Sequence, residues 1–74
     1  MANFFFKGKG FNLEMAYVPV KNKKGELVPS NIRVVRVIDA PDCYKHLGPK
    51  EIQPIVEYYY SEEIEEDALA AISI

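Results

Sequence analysis

The residue pair with the clearest chemical potential is Cys43 and His46, the only cysteine and the only histidine in the chain. Their Cys-x-x-His spacing is half of a zinc site, but structural zinc takes four ligands, which this chain cannot supply from Cys and His alone. A nucleophile and base interpretation also lacks support, because no oxyanion-binding loop accompanies the pair. We therefore expect no metal, no cofactor and no enzymatic activity.

The basic residues form a candidate nucleic-acid surface. Aromatic rings stack on the bases of single strands while Lys and Arg contact the phosphates, and phenylalanines accompany the cations in this sequence. The candidate contacts are Lys7, Lys9, Lys23, Lys24, Arg33 and Arg36. The net charge of −2 argues against this use, since dedicated nucleic-acid-binding domains are usually strongly basic. The Lys7-Gly8-Lys9-Gly10 stretch also lacks the spacing of a phosphate-binding loop.

The densest charge lies nearer the C-terminal end, where five acids occupy six positions directly after three tyrosines and a serine. Carboxylates three and four residues apart on a helix repel one another. A basic partner would relieve that repulsion and would associate faster in their field, and tyrosine is enriched at interfaces. The expected partner-binding residues are Tyr58, Tyr59, Tyr60, Glu62, Glu63, Glu65, Glu66 and Asp67.

The charges are divided between the two parts of the chain. Residues 1–50 hold all nine basic residues and four acids, a net charge of +5, whereas residues 51–74 hold seven acids and no base. A length of 74 residues predicts a single domain over 1–74 with a small core, to which homo-oligomerisation would add buried area. The lone cysteine, the absence of a signal-peptide pattern and the lack of a long apolar run predict a cytoplasmic protein without a membrane span.

Three stretches predict strands that form an antiparallel sheet. The alternation from Phe11 to Val20 places the larger apolar side chains on one face. Residues 32–38 are rich in β-branched types, but their alternation slips at Val34-Val35. A bulge there would put Val34 and Val35 toward the core and both arginines on the opposite face. Residues 3–7 supply the third strand, in which one phenylalanine faces outward or covers an edge. Residues 21–26 form the turn of a hairpin.

Two helical regions follow. A short helix is expected near 40–47, with Asp39 as its N-cap and Gly48 at its C-terminal stop. Residues 55–60 are ambiguous: their types favour a strand, whereas apolar residues spaced by four favour one long helix from Pro54. We prefer a strand to Tyr60 and an acidic helix near 62–72 that begins after Ser61. The fold class is α+β, with three or four antiparallel strands.

These features predict a small non-enzymatic interaction protein, an adaptor or inhibitor of the size that phages and mobile elements often encode. Its expected partner is a basic protein, for example one that handles nucleic acid, bound through the acidic and aromatic C-terminal region. The alternative is a single-stranded nucleic-acid-binding protein that uses the basic, aromatic sheet.

Overall fold

The computed structural model of the chain describes residues 2–73, which form a three-stranded antiparallel sheet and one long helix. The strands are β1 (Ala2–Gly8), β2 (Phe11–Lys21) and β3 (Leu27–Asp39), in the spatial order β1-β2-β3. A 3-10 turn at Asp42–Tyr44 leads to the helix, α1 (Pro49–Ile72). The α+β class, the antiparallel sheet, the short helical turn within 40–47 and the C-terminal helix are therefore confirmed.

The core lies between one face of the sheet and α1. The alternation predicted for β2 is confirmed, because its larger apolar side chains are buried in turn along one face, and α1 contributes a buried stripe of its own. Phe5 of β1 points outward, as expected for one of the three phenylalanines, and is 49% exposed. The buried side chains are Phe4, Phe6, Phe11, Leu13, Met15, Tyr17, Val34, Ile52, Val56, Ile64 and Ala68, with the small Ala16 and Ala40.

The bulge predicted in β3 is present. Met15 pairs with Val34 and Glu14 pairs with Arg36, so Val35 has no partner on β2. Both arginines lie on the face away from α1, as predicted, because Arg33 pairs with Ala16 on that face. The expectation that Val35 faces the core is wrong, since it is exposed. It is the extra residue of a bulge in an edge strand, and no β2 side chain lies beside it to enclose it.

The distal part of the β2–β3 hairpin extends beyond the rest of the sheet. Pairing with β1 ends at Tyr17, so residues 18–30 form a two-stranded arm in which Pro19 is paired with Pro29. The tip is closed by the side chain of Asn22, whose Oδ1 accepts the backbone N–H groups of Lys24 and Glu26 at 2.9 and 3.0 Å. Gly25 there has a φ of 81°, which a glycine adopts without strain.

The preference for a strand up to Tyr60 is wrong, because residues 55–60 lie within α1. The burial pattern decides the conformation: Ile52 and Val56 are fully buried, whereas Pro54 and Tyr58 are exposed. A strand would place all four of these residues on one face. The β propensity of the tyrosines is small by comparison with that burial. The helix begins at Pro49, where a proline sacrifices no intrahelical hydrogen bond.

The predicted caps of the short helix are also wrong. Gly48 is the N-cap of α1 and not the end of the preceding turn, and Pro41 occupies the N-cap position of the 3-10 turn. The Asp39 carboxylate accepts the backbone N–H of its neighbour Ala40 at 3.0 Å instead. Asp39 belongs to the end of β3, so its extended backbone continues the sheet and the turn begins later.

The helix bends at Tyr60, whose φ of −132° and ψ of 25° are not helical. A spacing of four residues exceeds the helical period of 3.6, so a straight helix would rotate such a stripe by about 40° at each repeat. The bend lets Ile52 and Val56 before it, and Ile64 and Ala68 after it, face the same sheet. The helix start predicted at Ser61 therefore coincides with the beginning of the second half of α1.

Candidate partner-binding surface

The outward side of α1 carries two exposed tyrosines just before the bend. Tyr58 is 81% and Tyr59 is 61% exposed. Their rings meet edge to face, with centroids 4.9 Å apart and an interplanar angle of 87°. An edge-to-face pair has favourable quadrupole contacts, so the two rings hold each other in place while most of their area remains in solvent.

The third tyrosine of the run belongs to the core side. Tyr60 is half-buried and packs against the rings of Phe6 and Phe11, at 6.2 Å from each centroid. The backbone bend at Tyr60 turns this ring toward the sheet and leaves its two predecessors outside. Of the three tyrosines expected to contact a partner, Tyr58 and Tyr59 are thus the accessible ones.

The five acids predicted to bind a partner are all exposed on the second half of α1. Within residues 2–73 none of them forms an ion pair or a side-chain hydrogen bond, and the last turn of the helix carries no basic residue. We call this set with the two exposed tyrosines the acidic-aromatic surface; it comprises Tyr58, Tyr59, Glu62, Glu63, Glu65, Glu66 and Asp67. Its negative field is thus not neutralised by the neighbouring described side chains.

The helix-free face of the sheet carries the alternative site. Exposed Phe5 has the Lys7 Nζ 5.7 Å from its ring centroid, and both β3 arginines lie on this face. The face is not purely basic, because Arg36 Nε donates to Glu14 Oε1 at 2.9 Å. Asn3 Nδ2 donates to the other carboxylate oxygen at 2.8 Å, and these two hydrogen bonds lower the pKa of Glu14.

The remaining candidate nucleic-acid contacts are not gathered on one site. Lys9 lies in the β1–β2 turn, whereas Lys23 and Lys24 lie at the tip of the arm, beyond the other end of β2. With 11 residues in β2, the two ends are separated by about 33 Å. The structure therefore places Lys7, Arg33 and Arg36 on the same face as Phe5 and leaves the other three lysines apart.

Cys43 is an exposed free thiol in the 3-10 turn, and His46 is exposed shortly after it. Among residues 2–73 no three His, Cys, Asp or Glu side chains are grouped so that they could hold a metal ion. Over the same residues, no helix combines the length and the apolar character that crossing a membrane would require.

Two polar residues of α1 that the sequence analysis missed connect the helix to the sheet edge. Gln53 Oε1 accepts the backbone N–H of Val34 at 3.2 Å, and its Nε2 donates to Glu57 Oε1 at 3.1 Å. Their spacing of four residues is a signal for a helical pair, which the preference for a strand concealed. Gln53 thereby satisfies a backbone donor of the edge strand β3.

Comparisons with protein-family models, with curated proteins and with solved structures found no match for this chain.

Proposed function

We propose that this chain is a non-enzymatic adaptor or inhibitor that binds a basic protein through the acidic-aromatic surface. The observation that carries the proposal is the juxtaposition of two large exposed rings with five carboxylates that have no partner within the described residues. The acids repel one another along the helix and so lower its stability. A structural role therefore does not account for this surface, whereas binding a partner does.

The tyrosines supply the contact area. A tyrosine loses few rotatable bonds on binding, and tyrosine is among the residues that most often dominate the binding energy of an interface. The edge-to-face contact between Tyr58 and Tyr59 further limits their motion before a partner arrives. Both rings would bury area at a small cost in conformational entropy.

The carboxylates determine which kind of partner binds. Glu62 and Glu66, and likewise Glu63 and Asp67, are four residues apart and so lie one turn apart on α1. Cations on a partner would remove the repulsion within these pairs, and the field would raise the association rate. A row of carboxylates also resembles a phosphate backbone, so a protein that handles nucleic acid, encountered in the cytoplasm, is the partner class that we favour.

The test is capture of proteins on the immobilised full chain after nuclease treatment, followed by binding measurements with the purified captured protein. The test variant is Glu62→Gln/Glu63→Gln/Glu66→Gln. The matched control, Glu26→Gln/Asp42→Asn/Glu51→Gln, removes the same number of exposed charges elsewhere. We expect a basic protein to be retained and its affinity to fall at least about tenfold in the test variant, with little change in the control.

Tyr58→Ala/Tyr59→Ala is the second variant in this test and should lower the affinity for the same partner by a comparable factor. The proposal is overturned if the charge variant and its control bind equally, or if every captured protein is lost after nuclease treatment.

The second candidate function is single-stranded nucleic-acid binding by the helix-free face, which the exposed Phe5 beside Lys7 favours. It requires a labelled oligothymidine to bind the full chain, with an affinity that falls steeply as salt is added. Phe5→Ala should then remove the stacking contribution of one base. Saturable binding that Phe5→Ala weakens would favour this function over protein binding, and no binding at low salt would exclude it.

A further inference from the structure

A cleft of about 180 Å³ opens between α1 and β3 beside the bend in the helix. Its floor is apolar and consists of Met15 on β2, Ile32 on β3 and Ile64 on α1. Met15 and Ile64 are almost fully buried, and Ile32 is partly buried against the same core. The cleft is therefore continuous with the hydrophobic core and opens to solvent on the side of α1.

The rim on the α1 side is polar and acidic. It consists of Glu57, Ser61 and Glu65, which are spaced by four residues and so form one line along the helix. Glu57 accepts a single hydrogen bond from the neutral amide of Gln53. Within residues 2–73, neither carboxylate is in an ion pair. Two carboxylates thus lie beside an apolar surface, and neither is neutralised by a cation of the described residues.

We propose that this cleft takes a lysine or arginine side chain of the basic protein partner. The methylene stem would lie on Met15, Ile32 and Ile64, and the charged head group would reach Glu57 or Glu65 at the rim. Long cationic side chains bury their stems along apolar surface while the head stays with polar groups. The inference rests on the proposed function and deepens it by naming the group that the partner inserts.

Other occupants fit the same cleft poorly. A purely apolar side chain would bring its surface against two carboxylates and desolvate them without compensation. An anion would be repelled by them. Glu57 and Glu65 are also too far apart to bind one divalent cation together. Eight residues separate them, about 12 Å along the helix, whereas a Ca²⁺ ion binds oxygens within about 2.6 Å.

The test uses NMR spectroscopy of the full chain, with isotope labels on the backbone amides and on the Met15 methyl group. The probes are three blocked tripeptides in which the central residue between two glycines is arginine, lysine or citrulline. Citrulline has the length and shape of arginine but no charge. We expect the arginine or the lysine peptide to shift the Met15 methyl and the amides of Ile32, Ser61 and Ile64 saturably, and the citrulline peptide not to do so.

Glu57→Gln/Glu65→Gln should lower the affinity of the cationic peptide at least about tenfold, whereas Glu26→Gln/Glu51→Gln, with the same change in charge at exposed positions outside both surfaces, should leave it within about twofold. These exposed positions tolerate the substitution, and the Met15 methyl position in the free protein reports an intact core. Equal losses in both variants, equal binding of the citrulline peptide, or no saturable shift at Met15 would overturn the inference.

The two proposals fail separately because their variants use different residues. If a basic partner still depends on Glu62, Glu63 and Glu66 while no cationic peptide enters the cleft, the cleft assignment is wrong and the proposed function stands. If a cationic peptide enters the cleft but no basic protein depends on those three residues, the site is real and the proposed function is wrong.

Discussion

Glu14 is held by one side chain from each neighbouring strand. Asn3 on β1 and Arg36 on β3 donate to its two carboxylate oxygens, so the three residues form a cross-strand cluster on the helix-free face. The hydrogen bond from Asn3, then that from Arg36, lower the Glu14 pKa below its ordinary value of 4.5. Both hydrogen bonds favour the charged form of the carboxyl, which partial burial opposes.

The lowered pKa gives a prediction about acid. A carboxyl with a depressed pKa stabilises the fold fully above its ordinary value, and the contribution is lost as the pH falls through the lowered pKa. Asn3→Ala should raise the Glu14 pKa toward 4.5, so that the contribution to stability becomes smaller and is lost over a narrower pH range. The measurement is an NMR titration of the Glu14 carboxyl carbon.

Asn12→Ala is the control for this titration, because Asn12 lies on the same face of β2 without a hydrogen bond to Glu14. It should leave the midpoint unchanged. An unchanged midpoint in Asn3→Ala, or an equal rise in the control, would contradict the assignment of the pKa shift to the Asn3 hydrogen bond.

At the scale of the elements, α1 is the only described helix that covers the sheet, so its buried stripe should control stability. Ile52→Ala removes a fully buried side chain and should cost about 2–5 kcal/mol of unfolding free energy. A domain of this length has roughly 4–11 kcal/mol in total. Urea denaturation followed by circular dichroism measures the difference.

Ile52→Val and Leu69→Ala calibrate that measurement. Ile52→Val should lower the unfolding free energy by only about 0.5–1.5 kcal/mol. Leu69 is 40% exposed on the same helix, so Leu69→Ala should lower it by less than Ile52→Ala does. If Leu69→Ala costs as much as Ile52→Ala, the packing of α1 on the sheet is not what stabilises the fold.

The strands were predictable from the sequence because their signal is local. Period-two alternation in β2 identifies the buried face without knowledge of any other element, and a slip in the alternation of β3 predicts the bulge at Val34 and Val35. The exposure of Val35 was not predictable in this way. Whether a bulged residue is covered depends on where α1 and the edge of the sheet lie, which no local pattern contains.

The helix was harder to predict because local and tertiary preferences disagree within it. Pro54 and the three tyrosines favour a break or a strand. Burial of Ile52 and Val56 with Pro54 and Tyr58 exposed requires a helix, and it becomes evident only against the sheet. The acids and tyrosines of the candidate surface were found from composition alone. The cleft was not, since it combines Met15, Ile32 and Ile64 from three separate elements.

At the scale of the whole molecule, the two charge populations of the chain remain apart. The ion pairs among residues 2–73 join Arg36 to Glu14, and Lys45 to Asp39 and Asp42. None of them reaches the acids of α1, and the molecule is elongated, with extents of 42 × 20 × 18 Å. The carboxylates on the second half of α1 also lie toward the negative end of the helix dipole, where they are unfavourable.

This imbalance predicts that one added cation will stabilise the protein. Ala70 is exposed in the last turn of α1, four residues after Glu66. Ala70→Lys should raise the unfolding free energy by about 0.5–1 kcal/mol at low salt, through the dipole and the new pair with Glu66. The gain should shrink at high salt because surface charges are screened.

Ala70→Gln is the neutral control of similar length, and urea denaturation at two salt concentrations is the measurement. Equal stability of the lysine and glutamine variants at low salt would show that the charge of α1 carries no cost in the folded protein.

The arm has a consequence for aggregation. Its two strands have free edges, which could template the addition of strands from other molecules. Proline has no N–H to donate, so the paired Pro19 and Pro29 fit a position where both nitrogens point away from the partner strand. Each free edge therefore lacks a donor where an added strand would need one, and the lysines at the tip add repulsion between copies. The exposed valines of this arm, Val18 and Val20, therefore lie on a hairpin whose edges are poor templates for an added strand.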